Sequence, residues 1–181
     1  MATVDTLQVR IAHREAEADG IVRFELVSAS GMPLPAFTAG AHIDVMLGEG
    51  LIRQYSLCGH PADRNRYQLG VLLDPASRGG SRAMHALGEG AALTISAPRN
   101  HFELAAGASR HLLLAGGIGV TPLLCMAEQL AADGADFTLH YCTRSLDRTA
   151  FRTRIATADW AARAQVHVDD GEASQTFDMK G

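Results

Sequence analysis

Leu112 to Pro122 reads LLLAGGIGVTP, an apolar run that passes straight into three glycines and then into Thr121 and Pro122. Such a run, bounded by turn residues, fits a buried strand. Thr121 is expected as the N-cap of a following helix, with Pro122 at its first position, where a missing N–H costs nothing. Working outward, the pattern predicts a helix over Pro122 to Ala132, a strand over Phe137 to Cys142, a second helix over Arg148 to Arg163 and a strand over Gln165 to Val168. That is a βαβαβ unit with a parallel sheet. Doubly wound sheets usually carry about five or six strands, and these three leave an edge or face uncovered, so a truncated α/β domain is expected.

The sequence before this stretch has a different period. Leu7, Val9 and Ile11, then Val22, Phe24 and Leu26, then Ile43, Val45 and Leu47 alternate with polar residues, as half-buried antiparallel strands do. Further strand-like runs lie at Arg53 to Cys58, Arg66 to Leu73 and Leu93 to Ser96, with turn chemistry at Gly48 to Gly50, Pro61 to Asn65 and Gly88 to Gly90. Six short strands suggest a small antiparallel β-barrel. We therefore expect a barrel domain over 1–104, a linker at Ala105 to Ser109, and the first part of an α/β nucleotide-binding domain over 110–181.

Composition narrows the function. Among 181 residues, 47% are apolar and 20% charged, as in a globular chain, and the net charge of -4 argues against general nucleic-acid binding and against a polybasic membrane surface. Charges at Asp5, Arg10, Arg14, Glu15, Glu17 and Asp19 interrupt the N-terminal region, so no signal peptide is expected and a cytoplasmic location is. The uncharged stretch Leu112 to Ala127 is shorter than the ~20 residues of a membrane span. Cys58, Cys125 and Cys142 are too dispersed for a disulfide framework or zinc site and read as reduced, buried thiols. The eight histidines lack metal-ligand spacing, so no metal is assigned.

Two local patterns carry chemistry. Gly116, Gly117 and Gly119 allow close backbone approach at a helix N-terminus, whose free N–H groups and dipole suit a pyrophosphate. The pattern departs from G-x-G-x-x-G, since Pro122 stands at the third glycine, and a plain strand-to-helix turn is the alternative. In the barrel half, Arg53, Gln54, Tyr55 and Ser56 end one strand, while Arg78, Gly79, Gly80 and Ser81 precede a short helix with Ser81 as a candidate N-cap. Two arginines suit a phosphate clamp and Tyr55 offers a flat face to a heteroaromatic ring; two exposed arginines and a surface tyrosine are the alternative. Asp169, Asp170, Gly171 and Glu172 form an acidic turn after the third parallel strand, either a solvated turn or, through Asp170, a holder of ribose hydroxyls that disfavours a 2′-phosphate.

Taken in order, FTAGAHIDVML (Phe37 to Leu47), RQYSLC (Arg53 to Cys58), DPASRGGSR (Asp74 to Arg82), PRNHF (Pro98 to Phe102) and LAGGIGVTP (Leu114 to Pro122) resemble the ferredoxin reductase-like flavoproteins, and more narrowly the phthalate dioxygenase reductase group. The resemblance runs from about Leu7 to Asp178. It implies an FMN-binding barrel, with FAD as the alternative, and an NAD-binding domain, followed in full-length members by a 2Fe–2S ferredoxin domain. By position it implies that Arg53, Tyr55 and Ser56 line the flavin, with Ser56 near the reactive N5 edge. Gly70, Val71 and Leu72 would then offer backbone groups to the pyrimidine side, and Arg78, Gly80 and Ser81 would hold the phosphate. Gly117, Gly119 and Thr121 would face the pyridine nucleotide, with Thr143 and Arg144 at its adenosine ribose. NADH is the implied donor; NADPH stays open because no acidic residue ends the second parallel strand. The three cysteines lack the spacing of a plant-type cluster, so no iron–sulfur centre is expected on this chain. The implied activity is hydride transfer from NADH to flavin, with electrons passed to a Rieske-type oxygenase or O-demethylase of aromatic catabolism. A stand-alone flavin or ferric reductase and a non-catalytic flavin-binding module are the alternatives.

Overall fold

The computed structural model describes residues 5–48 and 50–171. Its first sheet contains β1 (Thr6–Ala18), β2 (Ile21–Ser28), β3 (His42–Met46), β4 (Ile52–Ser56), β5 (Tyr67–Leu72) and β6 (Ala92–Ser96), in the order β4-β3-β6-β1-β2-β5 with every pairing antiparallel. The period-two residues point where the sequence pattern requires. Val9, Ile11, Phe24, Leu26, Ile43, Val45, Leu69 and Ile95 fill one interior. The two outermost strands, β4 and β5, meet through a single bridge between Leu57 and Leu69, beside which the Cys58 N–H donates to the Gln68 carbonyl at 2.9 Å. The sheet is thus a barrel closed at one end of its seam only.

The second sheet holds β7 (His111–Gly116), β8 (Phe137–Thr143) and β9 (Ala164–Val168), parallel and in sequential order. Helix α2 (Val120–Ala132) packs Leu123, Leu124 and Ala127 into a core with Leu113, Ala115, Leu139 and Tyr141. An antiparallel barrel followed by a parallel α/β unit is the expected fold class. The core of the α/β unit does not stop at its own boundary, because Ile21, Ala39 and Cys58 from the barrel belong to it.

Three local expectations are corrected. Helix α2 begins at Val120 after a 3₁₀ turn at Gly117–Gly119, and Gly119 occupies the N-cap with no side-chain cap. Thr121 therefore lies inside the first turn, donating its hydroxyl back to the Ile118 carbonyl at 3.1 Å. Helix α1 (Gly80–Ala86) is likewise capped by Gly79, at a φ of 95°, rather than by Ser81. The expected helix over Arg148 to Arg163 is broken into a 3₁₀ turn at Leu146–Arg148, α3 (Arg152–Thr157) and a 3₁₀ turn at Ala161–Arg163. The break has a cause: Phe151, buried, takes a left-handed φ of 60°, and the Thr149 hydroxyl turns back to the Ser145 carbonyl at 2.8 Å.

Candidate functional site

The unclosed part of the barrel seam gathers the residues picked from the barrel half. Continuing the Leu57–Leu69 register would set Ser56 against Gly70 and Tyr55 against Val71, but no ladder forms there. Arg53 to Ser56 and Gly70 to Leu72 are therefore the two lips of an open seam. Ladder alternation tells which backbone groups face it. His42 exchanges both its N–H and C=O with Arg99, and Leu57 N–H bonds Ala41, so His42–Ser56 is a non-hydrogen-bonded pair and Gln54 and Ser56 turn their backbone groups to the seam. Leu73 N–H bonds Gly20, so Val71 bonds β2 while Gly70 and Leu72 face the seam. Of the three backbone positions expected there, two present free groups; the Val71 carbonyl also meets His85 Nε2 at 2.9 Å.

Side chains divide between the faces of β4. Arg53 and Tyr55 lie opposite Val45 and Ile43 and share the interior-facing side, while Ser56 lies opposite His42 on the outer side. The Tyr55 ring packs half-buried against the barrel core, and burial raises its phenol above the ordinary range despite nearby Arg53. Helix α1 leans on the seam. A Cβ at Gly80 would stand 2.5 Å from the Arg53 side chain, and Arg53 donates to the Arg78 carbonyl at 3.1 Å, so Arg53, Arg78 and Gly80 form one corner. Ser81 is next to it, but its hydroxyl accepts from the Asp74 N–H at 3.1 Å and its own N–H donates to Ser77 Oγ. The Ser56 hydroxyl has no hydrogen-bond partner among the described residues.

A second feature lies at the carboxyl edge of the parallel sheet, where ligands of open α/β folds bind. A cleft of about 900 Å³ runs between the β1–β2 turn, Leu72 to Pro75, and the ends of β7 and β8, and includes Gly117, Thr143 and Arg144. Leu72 belongs to both features, so the seam and the cleft are continuous. Arg144 is exposed there, whereas the Thr143 hydroxyl is buried against Thr149 Oγ1 at 2.7 Å and the Thr143 carbonyl accepts from the Asp169 N–H at 2.9 Å. Gly119 is exposed at the start of α2 but outside the cleft lining. Thr121 points at the barrel: a Cβ on Gly70 would lie 2.8 Å from its Cγ2. In the acidic turn, Asp169 lines the cleft and Asp170 does not; Asp170 N–H donates to the Arg144 carbonyl at 3.2 Å, and Glu172 lies outside the described residues. Sequence reasoning missed Arg148 and Asp19, which line the cleft as an ion pair at 3.6 Å, because only the fold brings them together. It also missed Phe151, whose left-handed backbone no residue type announces.

An antiparallel barrel with an open seam, joined through a cleft to the carboxyl edge of a parallel sheet, defines the flavin- and nucleotide-domain pair of the ferredoxin reductase fold. Relatives give the narrower assignment. The vanillate O-demethylase oxidoreductase of Pseudomonas putida is 60% identical over 161 residues, covering 88% of this chain and 50% of that protein. The phthalate dioxygenase reductase of Burkholderia cepacia is 42% identical over 175 residues, covering 96% and 54%. A solved phthalate dioxygenase reductase, described as a modular structure for electron transfer from pyridine nucleotides to 2Fe–2S, superposes with a TM-score of 0.89 at 42% identity, over 96% of this chain and 55% of that one. The chain is similar to the phthalate dioxygenase reductase-like group, as its motifs led us to expect, and spans about half the length of the curated relatives it matches. No family model matches it. Among the described residues, no helix is long and apolar enough to cross a membrane and no group of His, Cys, Asp and Glu could hold a metal ion.

Proposed function

We propose that the chain is the flavin- and nucleotide-binding part of an NADH-dependent oxygenase reductase acting in the cytoplasm, with FMN held in the barrel seam. The observation that carries this reading is the seam itself: Gln54, Ser56, Gly70 and Leu72 turn unpaired backbone groups toward it, as a ring with polar edges requires. Bound flavin supplies hydride acceptance at one ring position and release of electrons one at a time. The protein's part is placement. Tyr55 packs against the ring from one side of β4, the Ser56 hydroxyl meets its N5 edge from the other, and Arg53 with Arg78 takes the phosphate beside Gly80. Ser81 braces that corner through Asp74 and Ser77. The nicotinamide nucleotide lies in the adjoining cleft, with the Gly117 turn at its pyrophosphate and Arg144 at its adenosine end. Leu72, common to both spaces, would stand where the two rings meet. Onward transfer through a 2Fe–2S domain to a Rieske-type oxygenase acting on an aromatic compound completes the proposal. Its support is that the relatives are named as reductase components of oxygenase and demethylase systems.

The test is cofactor binding. The chain mixed with FMN is expected to give a bound flavin spectrum. Arg53→Ala is expected to weaken FMN by roughly 1.5 to 3 kcal/mol through loss of a charge-assisted contact, with little effect on riboflavin. Equal losses for FMN and riboflavin overturn the phosphate assignment, and no flavin binding by the wild-type chain overturns the function.

A further inference from the structure

One wall of the nucleotide cleft comes from the barrel. Asp19 and Gly20 make the tight turn between β1 and β2, with Gly20 at a φ of 69°, and the turn is tied on two sides. The Gly20 carbonyl accepts from the Leu73 N–H at 2.7 Å, and the Asp19 N–H donates to the Asp147 carbonyl at the same distance. That second bond crosses from the barrel to the α/β unit and sets the Asp19 carboxylate beside Arg148, with which it pairs at 3.6 Å. Both side chains are exposed, and a pair of that kind adds little to folding. Its effect is on the charge that the cleft offers a ligand.

The charged residues lining the cleft are Arg144 and Arg148 against Asp19, Asp74 and Asp169. The Arg144 guanidinium has no partner among the described residues, whereas Arg148 is already neutralised by Asp19. Both arginines belong to the loop that leaves β8. The Thr149 hydroxyl folds this loop back onto the strand end, meeting Thr143 Oγ1 at 2.7 Å and the Ser145 carbonyl at 2.8 Å, so Arg148 returns to the side of the cleft where Arg144 stands. A phosphate on the adenosine ribose adds about two negative charges at pH 7 and would need the second arginine. Asp170, expected from the sequence to disfavour that phosphate, stands outside the lining.

We propose that Asp19 is a specificity-determining residue for the nucleotide: by holding Arg148 it withholds a cation from the adenosine end, so the cleft accepts a ribose 2′-hydroxyl and discriminates against a 2′-phosphate. This rests on the placement of the nucleotide in that cleft. A residue of the barrel thereby sets the preference of the α/β unit.

The experiment is calorimetric titration of the chain with ADP-ribose and with 2′-phospho-ADP-ribose, which differ only in that phosphate. Wild type is expected to bind ADP-ribose about tenfold or more tightly. Asp19→Asn is expected to cut that ratio about tenfold by releasing Arg148, and the Asp19→Asn, Arg148→Gln double variant to restore it. Arg148→Gln alone is expected to widen the ratio, because it leaves the Asp19 carboxylate bare. The change caused by Asp19→Asn should shrink as salt rises from about 50 to 500 mM. Equal wild-type affinities, an unchanged ratio in Asp19→Asn, or a cut that persists in the double variant overturns the proposal and leaves the nucleotide placement standing. No ADP-ribose binding by the wild-type chain overturns the placement and the proposal with it. If Asp19→Asn fails to fold, Arg148→Gln decides alone: a ratio that stays or narrows overturns the proposal.

Discussion

Gly70 stands where three parts of the molecule meet, with Thr121 from the start of α2 and the Phe151 ring packed over its Cα. A methyl group there would lie 2.8 Å from Thr121 Cγ2 and 2.9 Å from Phe151 Cζ, and both neighbours are buried. Gly70→Ala is therefore expected to cost about 1–3 kcal/mol by overpacking, read as a lower urea midpoint, with part restored by Phe151→Leu. No restoration in the double variant would mean that Thr121, not Phe151, sets the limit. At this scale the sequence was partly legible. Arg53, Gly80 and Arg78 were singled out from glycine and arginine spacing and do share a corner. The caps were misassigned for one physical reason. Thr121 and Ser81 have good capping side chains, but each lies one position inside a helix whose preceding glycine already supplies the turn, so their hydroxyls serve neighbouring backbone instead.

Strand β2 shows what an element's charges do. Arg23 is enclosed by Glu15, Glu17 and Glu25, and Glu25 also receives Arg66. Burial alone would raise the Glu25 carboxyl, but the hydrogen bonds from Arg66 and Arg23 more than offset it and the net direction is down. A carboxylate depressed in the folded state stabilises the fold above its unfolded pKa, and that contribution is lost as pH falls through the folded value. Stability is accordingly expected to decline below the ordinary carboxylate range, and the gap between wild type and Glu25→Gln to close as pH drops. Urea midpoints at stepped pH check this; a constant gap would refute it. Strands were the legible elements, because alternation such as Ile43, Asp44, Val45 writes their two faces into the sequence. Helix α3 was not, since its continuity depends on the Phe151 backbone, which is set by packing against the barrel rather than by local preference.

Across the whole molecule the barrel and the α/β unit are joined by more than their shared core. Arg154 of α3 donates to the Cys58 carbonyl at 2.7 Å and pairs with Glu128 of α2 at 3.2 Å, all partly buried, while Arg148 reaches Asp19 in the open. Arg154→Met is expected to cost about 1–3 kcal/mol by stranding its partners, and Arg148→Met about 0–1 kcal/mol. If calorimetry shows equal effects, the joint lies in the apolar core alone. The division into two sheets was legible as a change of period near residue 110, but a common core was not, because Ile21 and Cys58 read as ordinary strand residues. The barrel's closure by the Leu57–Leu69 bridge alone has a kinetic corollary. Two strands clasped at one point can part without disturbing any other ladder, so the seam breathes at small cost while the remaining sheet stays protected. Amide hydrogens of Gln54, Ser56, Gly70 and Leu72 should therefore exchange with solvent almost freely until a ligand stitches the seam. At FMN concentrations near a hundred times its Kd, those covered by the ring should slow by up to about a hundredfold, making the cofactor in effect the missing length of the barrel's last ladder.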